Sequence, residues 1–199
     1  AGAKIWRNVI INGNSSSPSS TSVMLRSGAV EIGGDLTMTN CLLSQHSSSA
    51  HTLTVGGDVA LNTGATLDLE NGGTQTFGSL TIASGGTYNA TSGTTTIDNK
   101  ASGNWCIDNN ETDGTGFVHN NGTVKISGAS TDGGKVSLYG ENFYNLEIDC
   151  GGGNSILSAE AGAGNMISAN NLTITSGTFD LTDGTDDNLV VHGLTNIVG

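Results

Sequence analysis

One unit recurs along this sequence and sets what the chain can fold into. Residues 59–72 read VALNTGATLDLENG, residues 80–93 read LTIASGGTYNATSG, and residues 172–184 read LTITSGTFDLTDG, one residue shorter. Each is an alternating apolar stretch, a Gly turn, a second alternating stretch and another Gly turn. Leu80 with Ile82, Leu172 with Ile174, Leu67 with Leu69, and Phe179 with Leu181 lie two apart, so each short strand has one face to bury. The residues between the apolar pairs of the second stretch, Asp68, Asn89 and Asp180, fall on the outward face. A strand-turn-strand unit that repeats belongs to a chain that stacks on itself in coils.

A longer match needs no gap: residues 35–61 lie over residues 171–197 with six of 27 positions identical. Leu36 with Leu172, Met38 with Ile174, Leu53 with Leu189, and Val55 with Val191 keep the alternation. The offset of 136 residues is about six coils of roughly 20–25 residues each. The whole chain then holds roughly eight or nine coils, a rod about 40 Å long at ~4.8 Å per coil. Further strands are predicted over 5–11, 23–32, 94–98, 117–127, 135–139, 143–149 and 156–158, separated by Gly, Asn, Asp and Ser clusters with turn chemistry. An antiparallel sandwich could use such strands, but it does not require the unit to recur. The expected fold is therefore all-β, a parallel β-solenoid forming one module over 1–199. Loop excursions are expected at 14–22, which holds the sole proline, Pro18, and at 99–116, where the alternation breaks.

Composition supports a β protein with a thin core. Gly, Thr, Ser and Asn supply 99 of 199 residues. Leu, Ile, Val and Phe make up just over a fifth of the chain, close to the ~20% below which chains stay disordered. Good helix formers are too scarce for an amphipathic bundle. The net charge is −12 and the six Lys and Arg never cluster, so neither nucleic acid nor anionic membrane is expected as a partner. No apolar run approaches the ~20 residues of a membrane helix, and the first residues lack signal-peptide regions. The start at Ala1 without Met suggests a segment of a longer chain. Cys41, Cys106 and Cys150 are spaced too widely for a zinc site or a disulfide framework and read as small core-filling thiols.

Candidate chemistry is sparse. Enzymes on solenoids line carboxylates along one groove, and glycosidases need two carboxyls roughly 5–10 Å apart; Asp68, Asp180 and Glu147 are the candidate acids. Asp68 is matched by Asn89 in the next copy, so no adjacent pair is visible. Asp180, Asp183, Asp186 and Asp187 crowd around one Gly turn, but they lack the order of a calcium loop and read as a solvated acidic turn. His46, His51, His119 and His192 have no metal spacing and take surface or ladder roles. No Gly-rich phosphate loop precedes a helix, so no cofactor is expected. The five Asn-x-Ser/Thr triplets are what a chain this rich in Asn, Ser and Thr produces by chance. Trp105 in the second excursion is either a platform for a sugar or, preferably, a plug folded over the coils.

The runs SLTIASGGTYNATSGTTTID at 79–98, FVHNNGTVKISG at 117–128 and NFYNLEID at 142–149 resemble a repeat type of very long marine-phage virion proteins. They are also similar to surface repeats of some aquatic bacteria. The similarity covers residues 53–199; the first 50 residues and the length of the Trp105 excursion depart from it. The resemblance implies a β-helical structural segment of a virion appendage, such as a tail fibre, or of a virion surface, and it brings no catalytic residues. The expectation is thus a noncatalytic structural and adhesive solenoid, on a virion surface or otherwise extracellular. Its partners would be copies of itself, a trimer among the options, or other virion proteins, with host-surface polysaccharide as a contact. Trp105, Asp180, Asp183, Asp186 and Asp187 are the expected contact surface. The alternatives are a tailspike-like polysaccharide-degrading enzyme and a secreted bacterial adhesin.

Overall fold

A computed structural model of the chain describes residues 5–14, 21–26, 28–45, 50–71, 73–98, 105–127, 134–138, 141–151, 156–159, 166–181 and 188–198. Strands there pair in parallel with strands one coil later, and the chain winds as a β-solenoid with three faces. The first face stacks Ile5–Trp6, Ala29–Ile32, the first halves of Thr52–Leu61 and Gln75–Ile82, Thr94–Asp98, Thr123–Ser127, Asn142–Asp149, Met166–Ser176 and Thr195–Ile197. The second stacks Val9–Asn12, Leu36–Thr39, the second halves of the same two long strands, Trp105–Asn109, Gly134–Ser137, Ile156–Ala159 and Thr178–Asp180. The third stacks Ser22–Leu25, Leu42–Gln45, Thr66–Asp68, Thr87–Asn89 and Phe117–Val118.

Period-two alternation explains this arrangement, because every other side chain of each strand points into the shared interior. One interior line on the first face runs Ile32, Val55, Phe77, Ile97, Ile126, Ile148 and the partly buried Ile174 in register, and ends on the exposed Ile197. β-branched residues fit such stacked pleats well. Inside, Phe77, Tyr88, Phe117 and Phe143 form a chain of rings with centroids 5.8, 5.9 and 5.6 Å apart. Tyr88 is fully buried, and its hydroxyl shares a 2.8 Å hydrogen bond with Thr95 Oγ1. Gln75, also fully buried, accepts from Leu53 N at 2.7 Å and donates to His51 O at 3.0 Å. Cys41, Cys106 and Cys150 are free thiols in this core.

Corners are made by residues that tolerate a left-handed backbone. Asn40, Gly64 and Gly85 stack at one corner with φ of 50°, 72° and 79°, where L side chains other than Asn are strained. Gly78 faces a different demand: a Cβ there would lie 2.6 Å from Gly57 O, so close stacking of turns requires glycine.

Three sequence expectations change. The described backbone crosses the second face eight times, but about six turns enclose the continuous core, fewer than eight or nine coils. Past Asn142 the third and first faces run together in the long strands Asn142–Asp149 and Met166–Ser176, so the three-cornered section is not kept. The 27-residue match joins different faces: Leu36 and Met38 lie on the second, whereas Leu172 and Ile174 lie on the first. Finally, the span 99–116 is not all excursion, since Trp105–Asn109 pairs with Leu80–Ile82 as a second-face strand. A register shift between Trp105 and Ile107 turns both Cys106 and Ile107 inward, which breaks the alternation that would have revealed it. Of the 14–22 excursion, 15–20 lie outside the described residues.

Candidate functional site

The candidate acids are spread around the rod. Asp68 is on the third face beside Asn89, Glu147 on the first and Asp180 on the second. Carboxyls on three different faces do not share one groove, which the 5–10 Å spacing of a glycosidase pair demands. Asp183, Asp186 and Asp187 lie outside the described residues, as does His46.

Two of the expected contact residues do come into line. Trp105 aligns with Lys135, Lys135 with Ser158, and Ser158 with Asp180, along the second face. Three rungs separate Trp105 from Asp180, about 14 Å at ~4.8 Å per rung. Trp105 is half-buried, and Lys135 Nζ stands 5.7 Å from its ring centroid, a cation–π contact.

Elsewhere the outward faces are tied together along the axis. On the first face Asn171 Nδ2 donates to Asn145 Oδ1 at 2.8 Å, and Asn145 Nδ2 to Thr123 Oγ1 at 3.3 Å. Beside them Lys125 Nζ reaches Glu147 Oε1 at 2.8 Å and Asp149 Oδ2 at 2.7 Å, and Ser176 Oγ donates to Asp149 Oδ1 at 2.8 Å. The bonds to Asp149 and Glu147 raise the Lys125 pKa, while Lys125 and Ser176 lower that of Asp149. At the corner between the first and second faces, Asp35 N donates to Asn8 Oδ1, Asp58 N to Asp35 Oδ1, and Ser79 Oγ to Asp58 Oδ1.

The most unusual group sits where the corner line Asn40, Gly64, Gly85 is interrupted by residues 110–116. Glu111 Oε2 accepts from Gly85 N, in the place a further corner residue would occupy, and its Oε1 accepts from Thr112 N at 2.9 Å. One turn on, Glu141 Oε1 accepts from Gly116 N at 2.6 Å, and its Oε2 from Phe117 N at 2.7 Å and from Asn109 Nδ2 at 2.5 Å. Glu111 and Glu141 are 6% and 5% exposed. Burial pushes the Glu141 carboxyl up to about 7 against the pull of the Gly116 and Phe117 N–H groups, with Asp113 and Glu111 adding repulsion.

Glu141 lines an open cleft of about 260 Å³ together with Gly114, Phe117, Val118, His119 and Asn142. His119 Nδ1 accepts from Asn121 N at 3.0 Å, and its ring lies 5.5 Å from that of Tyr144. Sequence reasoning missed Glu111 and Glu141. Their only signal is a separation of 30 residues, near one coil length, which no motif marks.

Among the described residues, no set of three or more His, Cys, Asp or Glu side chains is placed to hold a metal ion, and no helix is long and apolar enough to cross a membrane. No family model, curated protein or solved structure matches this chain.

Proposed function

We propose that this chain is a noncatalytic structural and adhesive solenoid segment of a phage virion appendage or virion surface. The observation that carries the reading is the axial tying of outward side chains: Asn171 to Asn145 to Thr123, and Lys125 to Glu147 and Asp149. Such cross-turn bonds stiffen a rod and occupy the polar groups that a catalytic groove would leave free. The line of Trp105, Lys135 and Asp180 on the second face supplies a contact surface of mixed aromatic and charged character. The partners in this reading are further copies of the chain or other virion proteins, which would cover the exposed Trp6 and Ile10 at one end and Leu194 and Ile197 at the other. Parallel strands with open edges pair readily with a continuing sheet.

Immunogold electron microscopy of the native source material tests this. Label on virion spikes, fibres or capsid is the expected result. Label on cell envelopes would replace the reading with a secreted bacterial adhesin, and release of oligosaccharides from host polysaccharide by the purified chain would replace it with a depolymerase.

A further inference from the structure

The cleft at residues 114–119 and 141–142 has the makings of a ligand site. It opens where the ladder of turns is broken, so its walls are not the repeating Thr and Asn surface found elsewhere. Its lining combines an apolar part, Val118 and the buried Phe117, with hydrogen-bonding groups from His119, Glu141 and Asn142. Because His119 Nδ1 accepts from Asn121 N, the neutral ring carries its proton on Nε2 and can donate there. Glu141 is a fixed acceptor: three donors on Gly116, Phe117 and Asn109 hold its carboxyl in one orientation. Apolar surface beside a few positioned polar groups is the general pattern of small-molecule sites.

Size and charge narrow the ligand. A volume of about 260 Å³ falls below the ~300–1,000 Å³ of drug-sized pockets, enough for one six-membered ring. Glu111 and Asp113 flank Glu141, and no Lys or Arg is in the lining, so a phosphate, sulfate or carboxylate on the ligand would be repelled. We infer that this cleft binds one neutral, hydroxyl-rich sugar ring, as a single unit of a longer polysaccharide. The inference rests on the adhesive reading and gives that reading a contact separate from the Trp105 line. An open cleft of this size binds a single ring weakly, and affinity for a polymer then comes from many copies engaging one chain.

The test is a titration of the isotope-labelled chain with a panel of neutral methyl hexosides and methyl N-acetylhexosaminides, and with methyl glucuronide, followed by amide NMR. The expected result is saturable millimolar shifts from a neutral glycoside at Gly114, Val118, His119 and Asn142, with none from the glucuronide. His119→Ala and Asn142→Ala, each removing one hydrogen-bonding group, should each weaken binding about ten-fold, the equivalent of ~1.4 kcal/mol. The inference is overturned if no neutral glycoside saturates these amides, if both variants bind as wild type does, or if the glucuronide binds as tightly. A chain found on virions whose cleft ignores every glycoside sinks this inference and leaves the adhesive scaffold standing. A glycoside-binding chain absent from virions does the reverse.

Discussion

Residues 35–90 and residues 98–143 build the same rod by different means. In the first stretch the turns repeat nearly residue for residue: Leu61 stacks on Ile82, Leu67 on Tyr88, and Asp68 on Asn89. Backbone pairing and alternating side chains carry those turns, one corner is a line of single left-handed residues, and the buried amides of Gln45 and Gln75 pair the backbone groups of His51 and Leu53. In the second stretch the chain leaves the repeat at 110–116, and two buried carboxylates take over the capping of backbone N–H groups. Neutral amides thus serve the regular turns and carboxylates the irregular corner, since buried backbone groups must be paired. The cleft that Glu141 lines lies at that irregular corner.

The largest expected effect separates core from rim. Phe77→Ala, in the ring stack of the regular turns, should cost about 3–5 kcal/mol. Trp105→Ala, at a half-buried rim position, should cost about 1 kcal/mol by loss of partial burial and its lysine contact. Denaturant melts of the two variants check this, and equal losses would remove the distinction between stacked core and rim.

Next comes the corner. Glu141→Ala removes the acceptor of the Gly116 and Phe117 N–H groups, while the Asn109 amide keeps its bond to Leu138 O, and with water entering from the open cleft the loss should be about 1–3 kcal/mol in all. The pH dependence has a definite sign. The carboxyl is raised from 4.5 to about 7 in the folded chain, so its contribution to stability is full below about 4.5 and declines as pH rises through about 7. Glu141→Gln should flatten the melting temperature over that window. A slope unchanged by the substitution would assign the pH dependence elsewhere.

Two glycines sharpen the contrast. Gly78→Ala forces a Cβ to within 2.6 Å of Gly57 O and should cost about 1–3 kcal/mol. Gly114→Ala meets nothing within 4 Å, though its φ is +81°, so only the ~1 kcal/mol of left-handed strain is expected. Smallest is Lys125→Ala. Its ion pairs are about a quarter to a third exposed and should contribute under ~1 kcal/mol, fading as salt is added.

Much of the fold was legible in the sequence because parallel stacking repeats one instruction. Leu80 and Ile82 announce an inward face, and Gly85 announces a corner. The strand Thr94–Asp98 has the bounds its alternation predicts. The predicted run 117–127 divides into Phe117–Val118 and Thr123–Ser127, because Asn120 and Asn121, both with positive φ, make a corner inside it. Cys106 was hidden by a bulge, which alternation cannot express.

The site was less legible. Asp180 and Trp105 fall on one line only because Lys135 and Ser158 intervene at matching rungs, and that depends on loop lengths between coils. Glu111 and Glu141 carry no local pattern at all: each caps N–H groups of a different turn, a long-range relation. His51, read as a surface or ladder histidine, is 4% exposed. Its carbonyl receives the side-chain amides of both Gln45 and Gln75, so its backbone rather than its ring ties the turns.

The central claim is that outward residues of successive turns stand directly above one another in parallel register. Thr54, Thr76, Thr96, Lys125, Glu147 and Thr173 form one such line. A pulsed electron-spin distance measurement between labels at Thr54→Cys and Thr173→Cys tests it, the three native thiols being buried. Five rungs predict a narrow distribution near ~24 Å, adjusted for the label arms. A broad distribution, or a distance far from that value, would contradict the stacked register and the account built on it.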